Sequence, residues 1–303
     1  MRSRLIILWR KLTRVKALTP LIVFIRYFAG TNMFNTVLDF WERNISHTSY
    51  AETQGFMDVH SSRIKRIMQG LADEKSVEVY GKIWKYRASH DRGCLKGIVD
   101  QHQYFDRELI HLGNRETFVD CGAYKGDTVK AFLDCLADRN QFELIAALEP
   151  DPYNFRQLEK TVKRINEKRI ECYNLGSWDK KEKLRFRSNT EEGCMVTEEG
   201  DLVIEADSID SIIGNRPVSF IKMDVEGAEL KSLMGAERVI KENSPRLAIS
   251  IYHSDRDMVE IPEYIMKKYP FYRIYIRHYT WFYADTVLYA IPGAEALERG
   301  ERK

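Results

Sequence analysis

Thr117-Phe-Val-Asp-Cys-Gly-Ala-Tyr-Lys-Gly-Asp-Thr128 is an apolar run that ends in an acid, Asp120, and opens through two glycines into a new segment. Phe118 and Val119 lie between turn formers and read as a buried strand. Val129, Phe132, Leu133 and Leu136 then share one face at helical spacing, so a helix follows. Between the two, Gly122 and Gly126 let the backbone turn sharply and approach a ligand closely, while Asp127 or Thr128 can cap the first free amides of the helix.

Glycine spacing decides what such a turn can hold. A dinucleotide fold needs G-x-G-x-x-G to seat a pyrophosphate on the helix N-terminus, but Tyr124 stands where the second glycine belongs. A phosphate loop needs G-K-[ST], and Gly126 is followed by Asp127 and Thr128. A ligand without phosphate that tolerates Asp120 directly before the first glycine remains. S-adenosylmethionine, with its cationic sulfonium and amino-acid tail, fits.

Glu143–Ala147 is a second apolar strand that closes on Leu148-Glu149-Pro150-Asp151-Pro152. Glu149, 23 residues beyond Gly126, occupies the place where a carboxylate takes the ribose diol of an adenosine cofactor. Asp151 can cap and Pro152 can start a helix with Phe155, Leu158, Val162 and Ile165 on its apolar face. Ile170–Tyr173 reads as a third strand. The small polar groups of Asn174-Leu-Gly-Ser-Trp178 at its end either meet the adenine edge or make a plain turn.

Residues 180–205 read as an inserted β-hairpin, with Leu184–Arg187 and Leu202–Glu205 alternating across a polar loop at Ser188–Gly200. A core strand, Val218–Met223, then ends in Asp224-Val-Glu-Gly-Ala-Glu229, and the following helix is expected to bury Leu230, Leu233 and Met234. Asp224 and Glu226 are read as functional because they reach the same edge as the first two strand ends. Glu229 is read as an acid favoured by the helix dipole. A fifth strand, Arg246–Tyr252, ends at His253, whose ordinary pKa range suits taking a hydroxyl proton. A helix at Pro262–Lys268 and strands at Tyr272–Arg277 and Thr286–Ile291 close the sheet, with the aromatic His278-Tyr-Thr-Trp-Phe-Tyr283 between them offering apolar faces to a sugar ring or to the core.

This order of motifs resembles the FkbM family of S-adenosylmethionine-dependent methyltransferases over roughly residues 116–291. The carriers are Phe118–Asp127, Glu149-Pro-Asp151 and above all Phe220-Ile-Lys-Met-Asp-Val-Glu-Gly-Ala-Glu229, which is similar to that family's K-x-D-x-E-G-x-E block. The resemblance implies an α/β, class I (Rossmann-like) methyltransferase domain with a seven-stranded, mostly parallel sheet and an antiparallel last strand. It also implies methylation of oxygen in glycans, lipids or secondary metabolites. By motif position Asp120, Gly122, Tyr124, Gly126, Asp127 and Thr128 shape the pocket of S-adenosylmethionine, and Glu149 holds its ribose with Pro150, Asn174 and Ser177 beside it. Asp224, which also borders the cofactor, lines the acceptor side with Glu226 and His253, and one of these three is the base. Asp224 and Glu226 can contribute oxygen ligands to Mg²⁺; without a further acid cluster, metal-free chemistry leads.

Residues 1–115 precede the domain at 116–293, are mainly helical in pattern and inherit nothing from the resemblance; residues 294–303 are a tail. Val77–Tyr86 is expected as a short strand pair, and Cys94–Tyr104 is placed to cover the cofactor or the acceptor. His60, His90, His102 and His111 lack metal-ligand spacing. Residues 1–30 carry seven basic residues and no acid, so with a net charge of +2 the remainder is acidic by about five charges. Their apolar runs, Leu5–Trp9 and Leu18–Ile25, fall short of the ~18 residues that span a bilayer. They are expected to rest as a basic amphipathic helix on anionic lipid or a partner, or to pack on their own domain. The five cysteines lack C-x-x-C spacing, which suits a reduced, cytoplasmic protein, in solution or peripheral at the inner face of the membrane. The charge balance marks no bulk nucleic-acid binder. A small-molecule or glycan acceptor is the expected partner. Two rivals are a catalytically silent scaffold of the same fold, tethered to a membrane assembly, and a dinucleotide-dependent oxidoreductase.

Overall fold

The computed structural model describes residues 50–189, 193–196 and 202–293. The basic segment 1–30, the tail 294–303 and part of the polar loop at 188–200 lie outside these residues.

Seven strands form the main sheet: β1 (Glu116–Cys121), β2 (Phe142–Leu148), β3 (Ile170–Tyr173), β8 (Phe220–Met223), β9 (Arg246–Ser250), β10 (Tyr272–His278) and β11 (Thr286–Pro292). Their order across the sheet is β10-β11-β9-β8-β1-β2-β3. β11 pairs antiparallel with both β9 and β10, and the other pairings are parallel. This is the expected mostly parallel sheet with an antiparallel last strand. Strand order reverses between β1 and β8, and open α/β sheets bind ligands beyond the carboxyl ends of strands at such a reversal.

Alternation along β1 sends neighbouring side chains to opposite cores. Phe118 stacks with Phe132 of α3 (Asp127–Cys135) and with Phe220 at centroid distances of 4.7 and 5.1 Å, in a core shared with Leu158 of α4 (Pro152–Ile165). Val119 and Cys121 face the other core, which is built with α1 (Tyr50–Gly70), α2 (Glu74–Ser89), α6 (Glu229–Met234), α7 (Glu237–Asn243) and α8 (Asp255–Lys268). The helical region before residue 116 thus shares a core with the sheet, and the bridges Leu71 to Ile274 and Val99 to His278 extend its contact to β10.

Several local expectations are corrected. Val77–Tyr86 is not a strand pair but the middle of α2: Asp73 caps it by accepting from the Ser76 amide, and Ser76, Val79, Tyr80, Ile83 and Trp84 are buried at helical spacing. The helix read from Pro262 starts at Asp255, capped by Ser254. Pro262 has no N–H for the Met258 carbonyl, and that carbonyl instead accepts from the Tyr80 hydroxyl at 2.8 Å. Neither Asp127 nor Thr128 caps α3, whose N-cap position is Gly126. Met234 is exposed rather than buried.

The insertion is larger than a hairpin. β5 (Glu182–Asn189) pairs antiparallel with β6 (Gly193–Val196) and with β7 (Leu202–Ser208), and β4 (Gly176–Trp178) adds parallel to β7, making a second, four-stranded sheet. The short α5 (Ile209–Ile213) leads back to β8. Among the described residues no helix is long and apolar enough to cross a membrane, and Cys94, Cys121, Cys135 and Cys172 are free.

Candidate active site

The turn after β1 is built on left-handed backbone at Gly122 (φ 82°), Tyr124 (φ 48°) and Gly126 (φ 85°). Glycine is required where the chain packs most tightly: a Cβ on Gly122 would meet the Asp224 carbonyl oxygen at 1.9 Å. At Gly126 it would meet the Thr161 side chain at 3.0 Å. Tyr124 is half exposed at the tip.

Asp120 is sealed beneath this turn. Its Oδ1 lies 3.1 Å from Lys222 Nζ, and both side chains are buried. Burial works against the Lys222 ammonium, but Asp120 and then Asp224 outweigh it and raise its pKa. Lys222 also donates to the Gly122 carbonyl at 2.7 Å, tying β8 to the turn. Burial raises the Asp120 pKa against the opposing Lys222 ammonium; Thr128 is buried in the first turn of α3, whereas Asp127 is exposed there.

Glu149 directly follows β2 and accepts from the Tyr124 amide at 2.8 Å and the Asp151 amide at 2.9 Å, one bond to each oxygen. Burial pushes its carboxyl up to about 7 against those two bonds. Each oxygen keeps a further lone pair, so the group fits a ribose diol beside the turn. Asn174 donates to the carbonyls of Glu149 and Pro150 at 2.8 and 3.1 Å, joining the ends of β3 and β2. Ser177 lies in β4 and is buried against α6, its hydroxyl 2.7 Å from that of Ser232.

On the other side of the reversal, Asp224 follows β8. Its Oδ2 accepts from the Tyr104 hydroxyl at 2.8 Å and its Oδ1 from the Tyr252 hydroxyl at 3.2 Å. Burial opposes its charge, but Lys222 and then His253 prevail and its pKa is lowered. His253 Nε2 stands 3.5 Å from Asp224 Oδ1 and 3.4 Å from Glu226 Oε2, while Nδ1 is 3.1 Å from Glu229 Oε1. Burial disfavours the imidazolium, yet Glu229, Asp224 and Glu226 together raise its pKa to about 10. Glu226, on left-handed backbone (φ 57°), is the most open of the three acids at 34% side-chain exposure, and burial pushes its carboxyl up to about 7.

The fold thus gathers Asp120, Gly122, Tyr124, Gly126, Glu149 and Asn174 on one side and Asp224, Glu226 and His253 on the other, with Gly122 and Asp224 in contact between them. It adds residues to which the sequence assigned no chemistry. Glu229 is fully buried, accepts from the Val225 amide at 2.8 Å and faces His253, which a dipole role does not require. Tyr104 reaches Asp224 from the segment expected to cover the site, on left-handed backbone (φ 66°). The signal for Glu229 was its place in the K-x-D-x-E-G-x-E block; for Tyr104 it was only its proximity upstream. In the aromatic loop after β10, Tyr279 is tied to Tyr289 by a 2.6 Å hydroxyl contact, and Trp281 is exposed.

A family model described as the methyltransferase FkbM domain matches residues 120–278. Among solved structures, the methyltransferase FkbM from Methylobacillus flagellatus KT is similar at a TM-score of 0.68 and 28% identity, covering 78% of this chain and 60% of that one. The chain therefore spans about three fifths of that relative's length. An rRNA methylase from Streptococcus thermophilus gives a TM-score of 0.41 at 13% identity, over 60% of this chain and 88% of that one. Aeropyrum pernix fibrillarin, solved with S-adenosyl-L-methionine natively bound, gives 0.40 at 12%, over 60% and 69%. No curated protein sequence matches.

Proposed function

Because the chain belongs to the FkbM methyltransferase family and its cofactor is S-adenosylmethionine, we propose that it methylates a hydroxyl oxygen of a glycan, glycolipid or secondary metabolite by direct in-line displacement. The bound cofactor supplies an electrophilic methyl group on a sulfonium. The chain's own contribution is alignment, with the turn at Gly122–Gly126 seating the methionine tail and Glu149 accepting from the ribose hydroxyls.

The oxygen reading is carried by the position of Glu226. Methylation of a hydroxyl releases a proton, so a group within reach must accept it. Asp224 is engaged by two phenols and Glu229 is sealed, whereas Glu226 stands open at the rim of the same cluster with His253 beside it. Glu226 is therefore the proton acceptor, and Asp224 is the fixed anion that orients the site. Trp281, exposed on the loop after β10, supports a sugar-bearing acceptor by offering an apolar face.

The test is transfer of radiolabelled methyl from S-adenosylmethionine to a panel of hydroxyl acceptors, followed by alkali. Ether-linked label survives alkali, and Glu226→Gln should lower turnover on the order of 10²-fold with cofactor affinity intact. Alkali-labile or nitrogen-bound label, or full turnover in Glu226→Gln, would contradict the reading.

A further inference from the structure

Asp224, Glu229 and His253 form, among the described residues, a group in which one ligand atom of each lies within 4.8 Å of the others. They come from the end of β8, the first turn of α6 and the loop after β9. Two observations go beyond their clustering. Glu229 is fully buried and its Oε2 has no hydrogen-bond partner among the described residues, although leaving a buried acceptor unpaired is costly. Both ring nitrogens of His253 lie 3.1 to 3.5 Å from carboxylate oxygens, yet neither makes a hydrogen bond of good geometry. Three carboxylates, counting Glu226, thus face one imidazole. The nearby ammonium of Lys222 is committed to Asp120 and the turn carbonyls.

We propose that Asp224, Glu229 and His253 bind one divalent transition-metal ion, with Glu226 at its rim. An imidazole nitrogen among carboxylate oxygens suits Mn²⁺, Fe²⁺ or Zn²⁺ better than Mg²⁺, which favours an all-oxygen shell. The surroundings hold these groups as outer partners hold metal ligands: Tyr104 and Tyr252 donate to Asp224, and the Val225 amide donates to Glu229. From the sequence only Asp224 and Glu226 could serve as oxygen donors; the fold adds Glu229 and His253. Ion binding does not depend on the proposed function, but the ion's role does. Beside the Gly122 turn it would polarise the acceptor hydroxyl, and an acceptor with adjacent oxygens, such as a vicinal diol, would complete its coordination.

The experiment is a titration of the full chain, stripped with a chelator, with Mn²⁺ followed by electron paramagnetic resonance. Saturable binding of one Mn²⁺ per chain is expected, with nitrogen coupling from the His253 ring in the pulsed spectrum. Asp224→Asn should weaken binding by about tenfold or more, and His253→Ala should remove the nitrogen coupling. The coupling is read on the wild-type chain, so the result stands whether or not the variants fold. No saturable binding, or bound Mn²⁺ without nitrogen coupling, overturns the site. A parallel titration with S-adenosylhomocysteine separates the two readings: its binding without Mn²⁺ removes the metal and leaves the methyltransferase reading standing.

Discussion

The carbonyl oxygen of Asp224 lies 1.9 Å from the point that a Cβ on Gly122 would occupy. The turn after β1 and the end of β8 therefore meet backbone to backbone, with no room for a side chain. Gly122→Ala must displace one of them, and it also places a non-glycine residue at φ 82°. It should abolish S-adenosylhomocysteine binding and lower the unfolding midpoint. Gly126→Ala shares the left-handed backbone (φ 85°) but meets side chains rather than backbone, Thr161 at 3.0 Å and Leu158 at 3.2 Å, and should cost less on both counts. Equal tolerance of the two substitutions, by calorimetry and thermal melting, would contradict this packing.

The ribose contact proposed for Glu149 makes cofactor affinity depend on pH. Its carboxyl is raised to about 7 by burial, and donation from ribose hydroxyls favours the ionised form. Affinity for S-adenosylhomocysteine should fall as pH drops through 7, by about tenfold between pH 8 and pH 6. The unliganded fold has the opposite trend. Its raised pKa means that the folded chain holds the Glu149 proton after the unfolded chain has released it. That contribution to stability is full below about 4.5 and is lost as pH rises through about 7. Titrations and melts over this range check both trends, and Glu149→Gln should flatten them.

Arg87 of α2 pairs with Asp255 at 2.7 Å, both buried, and donates to the Tyr252 carbonyl at 3.0 Å. The helical region before the sheet thus grips the loop that carries His253. Arg87→Ala leaves Asp255 buried and unpaired, a loss of about 3–5 kcal/mol. Urea unfolding should show it, and a change below ~1 kcal/mol, the level of an exposed pair, would contradict the account.

What was legible in the chain was local. Phe118, Val119 and the glycines after them defined a strand, a turn and a helix within a dozen residues, and Glu149 and Asp224 stood at the ends of strands that could be read singly. What was not legible came from residues far apart in sequence. Tyr104 meets Asp224 across 120 residues and Arg87 meets Asp255 across 168, so no spacing rule brings them together. Val77, Val79 and Ile83 suggested strands because β-branched residues favour them, but the burial of Val79 and Ile83 against the sheet overrode that preference. Pro262 suggested a helix start because a missing N–H is harmless there; the Tyr80 hydroxyl that makes it harmless inside α8 lies on another helix.

The central claim is most directly tested by calorimetric titration of the full chain with S-adenosylhomocysteine and, separately, with NADH. The account predicts saturable binding of one S-adenosylhomocysteine per chain and none of NADH. A folded chain that takes NADH, or takes neither ligand, would contradict it.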